Sequence, residues 1–438
     1  MTLNSKLSAA ALRPLTETTW RFWLLVALLG SMMVWGVYAF IVQEEVGAGV
    51  TGSNASAPWG LYIVNYVYLI GLSAGGVIVA SLAYVFNLKE YKPIARIAEL
   101  LAITCLILAM LFVSLDVGRP ERLVNILIYG NPLSPLFWNA MVVGIYFAIS
   151  LTYGYLGTRP DIVAAMKATP RRARLYRILA LWHTDTSPRA LQKDERALKL
   201  IALVALPSAI ALHSVTAWIL GLTRAQPGWH SALLAPLFVV SAIVSGLALV
   251  VVAAWATRRI LGVGIKDELF AKLGRFLVWL LPIDFYFAFA EILTVQYGRM
   301  PAEFTTLQYV VFGPLAWSFW TEMIVGLLIP FLLIVRAKDR TPQRVGLAAL
   351  LIFIGVFFKR IDIVIPSLIF RWLPFPAGGY APTWVELSLM AAVYAFGILF
   401  FVTFAKLFPL VPLEKEREKE REAGEEAPRG VGTAATKG

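Results

Sequence analysis

The chain has one cysteine, Cys105, in 438 residues. A single thiol forms no intrachain disulfide, no cysteine-ligated zinc site and no self-contained iron–sulfur cluster. Histidine is nearly as scarce: the three are His183, His213 and His230. A membrane b-type haem ordinarily takes two axial histidines within the bilayer. Only His213 lies well inside an apolar run, so neither a haem nor a tightly bound metal is expected. Charge is also scarce, at 15% of residues against 59% hydrophobic, and the mean hydropathy is +0.73. No soluble domain buries that much apolar surface, and the composition is that of a polytopic membrane protein.

Ten apolar runs are long enough to cross a bilayer, which takes about 20 helical residues. They fall at 21–43, 60–87, 94–115, 135–157, 198–222, 230–257, 272–298, 308–335, 344–367 and 383–408. The fold class is therefore all-α integral membrane. The net charge of +12 does not signal nucleic acid, because the basic residues cluster in alternate loops. With the N-terminus inside, 32 of the 39 lysines and arginines lie on the inner side. Arg119, Arg122, Arg224, Arg299 and Arg371 lie outside, and Lys359 and Arg360 lie within a span. A miscount by one helix would scramble this alternation, so both termini are expected in the cytoplasm. The first span is too long for a signal-peptide core and reads as an uncleaved anchor. Residues 1–20 and 409–438 read as cytoplasmic ends. The second is a mixed-charge run at 414–426 fading into a Gly/Ala/Thr-rich stretch.

The stretch 213–231, HSVTAWILGLTRAQPGWHS, holds two of the three histidines. His213 has no charged neighbour within ten residues on either side. It is either an imidazole hydrogen-bonded between packed helices or a proton-handling group. In the second span, Gly71 and Gly75 form a GxxxG pair that lets another helix approach closely. Tyr62, Asn65 and Tyr68 follow at three-residue spacing, as interhelical glue or as a polar lining. The third span ends in Asp116-Val117-Gly118-Arg119-Pro120-Glu121-Arg122, either a solvated ion-pair cluster or a docking rim. The long basic inner loop 158–199 contains a short interfacial helix at 173–181 suited to anionic lipid headgroups, and His183 there reads as solvated.

Charged residues within apolar runs are the least expected feature. Asp284 and Glu291 lie nearly on one helical face, Glu322 on the next span, and Lys359, Arg360 and Asp362 on the one after. Glu386 opens the last span, and Glu99 lies near the inner end of the third. Such groups survive by pairing, by neutralisation or beside water. Lys359 and Asp362 at i, i+3 are placed for a local pair. For the whole set, structural ion pairing and proton conduction stand as alternatives.

Several of these stretches together resemble one family. Pro58-Trp59-Gly60-Leu61-Tyr62 leading into Gly71-Leu72-Ser73-Ala74-Gly75 resembles the second-helix signature of the NrfD/polysulfide-reductase (PsrC) membrane subunits. Leu115-Asp116-Val117-Gly118-Arg119-Pro120 and the run from His213 through Trp218 to Pro227-Gly228-Trp229-His230-Ser231 are similar too. Gly378-Gly379-Tyr380-Ala381-Pro382-Thr383-Trp384-Val385-Glu386 resembles the ten-helix branch, which includes HybB-type hydrogenase subunits and the large membrane subunits of alternative complex III. The resemblance runs from about residue 20 to 408.

That resemblance implies two four-helix bundles, spans 2–5 (60–222) and 6–9 (230–367), flanked by the first and last spans (21–43 and 383–408). It implies a quinone, of menaquinone or ubiquinone type, bound near the outer face. It also implies a ferredoxin-like iron–sulfur partner on that face and a catalytic subunit, often a molybdopterin enzyme. The chain is then the quinone-reactive subunit of an oxidoreductase and not catalytic alone. Carried over residue by residue, the quinone-binding candidates are Trp59, Tyr62, Asn65, Tyr68, Arg119 and His213, with His213 and Asp116 as the catalytic pair. Some members have a histidine about one turn after the asparagine, where this chain has Tyr68. Asp284, Glu291, Glu322, Lys359, Arg360, Asp362 and Glu386 form the candidate proton path. A secondary transporter without a redox partner and a purely structural anchor are the competing readings.

Overall fold

The structure is a computed structural model that describes residues 19–55, 57–168, 172–223, 225–261, 264–370 and 378–407. The expectations for the two termini, Arg224 and Arg371 fall outside these residues. The described residues form helices and connecting turns, with no strand. In chain order the helices are α1 (Trp20–Val46), α2 (Leu61–Ala80), α3 (Lys92–Asp116), α4 (Asn125–Tyr129), α5 (Pro135–Ala168), α6 (Ala173–Leu179), α7 (Pro188–Gly221), α8 (Leu234–Leu261), α9 (Asp267–Gly298), α10 (Pro301–Val311), α11 (Ala316–Trp320), α12 (Ile329–Ile334), α13 (Pro342–Ile369) and α14 (Trp384–Leu407). Among the described residues, nine helices are long and apolar enough to cross a membrane. The continuous 28-residue α13, whose apolar run is interrupted by Lys359, Arg360 and Asp362, packs among them. Each expected span is mainly helical, as an all-α integral membrane protein requires.

Local signals set many of the ends. Proline stands at the first turn of α7, α10 and α13, where its missing N–H costs nothing. Ser187 and Thr341 cap α7 and α13 by accepting the backbone N–H three residues on.

Two expectations need correction. The run 308–335 is not one continuous helix. It divides into α10, a turn, α11, a π-helical stretch Thr321–Leu328 and α12. Pro314 and Gly313 mark the break, and the wider π turn re-aims the side chains around Glu322. Nor is 158–199 a long loop: α5 runs on to Ala168 and α7 begins at Pro188. Buried Arg159 closes the gap by donating through Nε to Asp194 (2.8 Å) and through Nη1 to the backbone carbonyls of His183 and Asp185. The side chain of His183 is exposed, as expected. Between them α6 seats Tyr176, whose hydroxyl donates to the Leu407 carbonyl.

The packing gives two four-helix bundles. The first comprises α2, α3, α5 and α7, and the second α8, α9, the α11–α12 segment and α13. Helices α1 and α14 pack on each other and lean on α3. The bundles meet along α2, α8 and α13, which makes α2 the most enclosed helix. Along the α2–α8 seam a Cβ on Gly75 would lie 2.3 Å from the Gly246 carbonyl oxygen, and one on Gly246 would lie 2.4 Å from the Gly75 nitrogen. Each glycine is there because the opposing backbone occupies the side-chain position. Replacing Gly75 by leucine is expected to separate the bundles and remove most folded protein. Fluorescence-detected size-exclusion chromatography of detergent extracts checks this, and a wild-type monodisperse peak would sink it.

Candidate functional site

The polar groups inside the apolar body fall into three neighbouring sets. The first lies in the upper part of the first bundle, toward the face that carries residues 222–233. His213 is buried on α7, eight residues before its end and so about 12 Å along the axis. One turn later Thr216 donates to Asn139 Oδ1 at 2.9 Å, and Asn139 in turn bonds the Tyr66 hydroxyl. Among the described residues His213 takes no part in that network, and its Nε2 has no hydrogen-bond partner. The charge that acts on the ring is the guanidinium of Arg360.

Arg360 comes from α13, across the bundle seam, and is almost completely buried. It donates to Ser241 Oγ at 3.1 Å and lies over the Phe238 ring at 4.5 Å, a cation–π contact. Its Nε and Nη1 have no hydrogen-bond partner among the described residues. Gly71 makes room for it: a Cβ there would lie 3.4 Å from Arg360 Nη2. The GxxxG pair thus divides its work, Gly75 admitting a helix and Gly71 a guanidinium.

The second set is the charge centre of the second bundle. Lys359 Nζ donates to both carboxylate oxygens of Asp284 at 2.9 Å and lies 3.3 Å from Glu322 Oε1. All three residues are buried. The expected local partner of Lys359, Asp362, is not the one it takes. Asp362 faces the side of Ser318, and neither of its oxygens has a hydrogen-bond partner by ordinary geometry. Two cations therefore stand beside three carboxylates in a medium where unpaired charge is costly.

The third set is the rim. Tyr62 donates to Gln43 Oε1 at 2.7 Å, and Gln43 Nε2 donates to the Leu115 carbonyl at 2.9 Å. Asp116 is next to this pair and within electrostatic reach of Glu386. Glu386, fully buried, accepts from Gly52 N (2.8 Å), Tyr380 Oη (3.0 Å) and Thr383 N (3.2 Å). The Tyr380 hydroxyl accepts from Leu61 N at 2.8 Å, and burial together with the Glu386 carboxylate pushes its pKa up. Trp59 stacks on Trp229 at 5.8 Å, and Trp229 Nε1 donates to the Ile363 carbonyl at 2.7 Å.

The helical face shared by Tyr62, Asn65 and Tyr68 does not act as one surface. Tyr62 turns to α1. Asn65 accepts from Tyr394 of α14 at 2.7 Å, and Tyr68 donates to the Phe353 carbonyl of α13 at 2.8 Å. Three-residue steps move 60° backward around a helix each time, enough on a central helix to meet three different neighbours. Arg119 is exposed on the rim. Among the described residues no hydrogen bond or ion pair joins Asp116 to His213. Glu291 accepts from Ser231 at 2.7 Å and lies about 10 Å along α9 from Asp284. Glu386 is a fastener of the rim rather than a neighbour of Lys359.

Gln43, Tyr66, Asn139, Thr216 and Ser241 were not singled out in the sequence. Neutral polar residues are common in membrane helices, so their presence in a span carries little signal. Among the described residues no group of three or more His, Cys, Asp or Glu converges as a metal site.

Comparison with known proteins accords with this architecture. A selenate reductase subunit of Mesobacillus selenatarsenatis is 28% identical, over 89% of this chain and 94% of its own length. The Hdr-like menaquinol oxidoreductase integral membrane subunit of Archaeoglobus fulgidus is 29% identical, over 90% and 94%. The probable Ni/Fe-hydrogenase 2 b-type cytochrome subunit of Escherichia coli is 25% identical, over 92% and 96%. The family model described as polysulphide reductase, NrfD, matches residues 49–371, which include both bundles and nearly all of the polar interior. The chain belongs to the NrfD polysulphide reductase family.

Proposed function

We propose that this protein is the quinone-reactive membrane subunit of a multi-subunit oxidoreductase. It exchanges electrons between the membrane quinone pool and an iron–sulfur partner docked on the Trp229 face, which in turn serves a catalytic subunit. The observation that carries this reading is that His213 Nε2 and Arg360 Nε and Nη1, buried polar atoms without a hydrogen-bond partner among the described residues, belong to two side chains within electrostatic reach of each other inside a membrane protein of this family. Orphaned polar atoms at such depth are costly unless something completes them. A quinone head fits: its oxygens accept from a guanidinium, and its reduced hydroxyls donate to an imidazole. The quinone supplies the two-electron, two-proton redox change. The relatives named for selenate reductase and menaquinol oxidoreductase support membership of such a complex.

The residues then divide the work. His213 takes or returns a hydroxyl proton at Nε2. Arg360 orients the head and, through the seam, ties it to Asp284, Glu322 and Lys359. The Tyr66–Asn139–Thr216 network holds α2, α5 and α7 in register around the ring. Tyr62, Asp116 and the Glu386 fastening shape the rim with Trp59, and exposed Arg119 meets the partner. The charge centre, with one more carboxylate than cation, holds one proton in its neutral state and is the start of a proton path. By the bias of positive charge, the side that carries residues 172–187 faces the cytoplasm of a prokaryotic cell membrane.

The test uses the complex gently solubilised from native membranes. Added quinol is expected to produce an iron–sulfur EPR signal that a quinone-site inhibitor blocks. If no iron–sulfur protein co-purifies and no signal appears, the reading is wrong.

A further inference from the structure

A cavity of about 760 Å³ opens at the basic end of the first bundle, far from His213, between α3, α5, α7 and α14. Its volume is within the range of small-molecule sites, about 300–1,000 Å³. Leu100, Ile103, Ile107, Leu151 and Phe400 give it apolar walls. The cations that line it are already engaged. Lys92 lies 3.6 Å from Glu195 and over the Tyr84 ring, and Arg96 pairs with Asp161. Asp194 is held by Arg159. Among the described residues that line it, an anionic head would find no free positive charge.

Two lining groups are open to a ligand. Glu99, 5% exposed, has no hydrogen bond or ion pair within the described residues, and the Tyr153 hydroxyl lies beside Tyr84 without making a hydrogen bond of ordinary geometry among the described residues. The two are close enough to interact electrostatically. A carboxyl and a phenol at the polar end of an apolar chamber suit a neutral head that both donates and accepts hydrogen bonds, carried on an apolar tail.

We propose that this cavity is a second binding site for the isoprenoid quinone class, with Glu99 and Tyr153 as its head-group partners. The identification of the ligand as a quinone rests on the function proposed above, whereas the preference for a neutral head follows from the cavity alone. No redox step is assigned to this site. It serves to hold or admit quinone from the leaflet on the basic side.

The experiment is photolabelling of the intact complex in proteoliposomes with an azidoquinone bearing a short isoprenoid tail, mapped by mass spectrometry. Label is expected in residues 95–107 and 151–158 as well as near His213. Glu99→Leu, which removes both donor and acceptor, is expected to lower the first about tenfold, the effect of one lost hydrogen bond. Ile103→Trp, which fills the wall, is expected to abolish it. Labelling near His213 is expected to be unchanged in both variants. Label near His213 alone, label in the cavity that neither variant alters, or a phospholipid cross-linked in its place overturns the second site and leaves the first standing. Absence of label everywhere overturns both.

Discussion

Replacing Lys359 by methionine is expected to remove nearly all folded protein from the membrane, although the new side chain is apolar and similar in length. Lys359 is the direct partner of two buried carboxylates, at 2.9 Å from Asp284 and 3.3 Å from Glu322. Without it both are left in the interior beside Asp362, with Arg360 as the remaining cation of the group. Breaking a buried pair from one side typically costs about 3–5 kcal/mol, a large share of a protein's stability. Adding Asp284→Asn to Lys359→Met removes one uncompensated charge and is expected to restore part of the yield. Thermal unfolding followed by size-exclusion chromatography measures both. A single variant as stable as the wild type would show that the ion pair contributes nothing to the fold. The same residues separate a structural role from a proton-handling one. Asp284→Asn with Glu322→Gln keeps the shapes and removes the acids. If that variant folds and moves protons in vesicles as the wild type does, the proposed path does not run through them.

Replacing His213 by alanine is expected to have the opposite profile. Nothing hydrogen-bonds to its Nε2, so no partner is orphaned by its loss, and the Tyr66–Asn139–Thr216 network that ties three helices stays intact. Assembly is expected to survive while quinone turnover falls by about 10²–10⁴-fold, the usual contribution of a placed general acid or base. His213→Leu, closer in volume, controls for the space vacated. Stopped-flow reduction of the iron–sulfur partner by quinol gives the rate directly. Full turnover in both variants would remove His213 from the reaction and leave its burial as a packing feature. Loss of assembly in alanine but not leucine would point to the same conclusion if leucine also turned over normally.

How much was legible beforehand differs from residue to residue. The membrane class and the ten apolar segments followed from composition and run length, because a bilayer imposes a length on every helix that crosses it. Two helix boundaries depart from the hydropathy pattern for a physical reason. Helices α5 and α7 continue past the apolar run, where charge and hydropathy no longer report helix, and the continuation is held by the buried Arg159–Asp194 contact between residues 35 positions apart. The break between α10 and α11 lay within a run apolar enough to read as one span.

Costly residues were likewise visible, because an ionisable group in an apolar run stands out whatever its role. His213, Asp284, Glu322, Lys359 and Arg360 could all be named from the chain alone. Their partners could not. Lys359 has an acid three residues away and takes one from another helix instead, and three tyrosine and asparagine side chains on one face of α2 turn to three different neighbours. The sequence by itself determined that this is a many-span helical membrane protein of recognisable family pattern, since periodicity, length and solvation cost act locally along the chain. Only the tertiary structure decided that Arg360 reaches across the seam toward His213, that Glu386 fastens the rim and that Glu99 faces a cavity. Those facts depend on which helices touch, and contact between distant segments is set by packing of the whole.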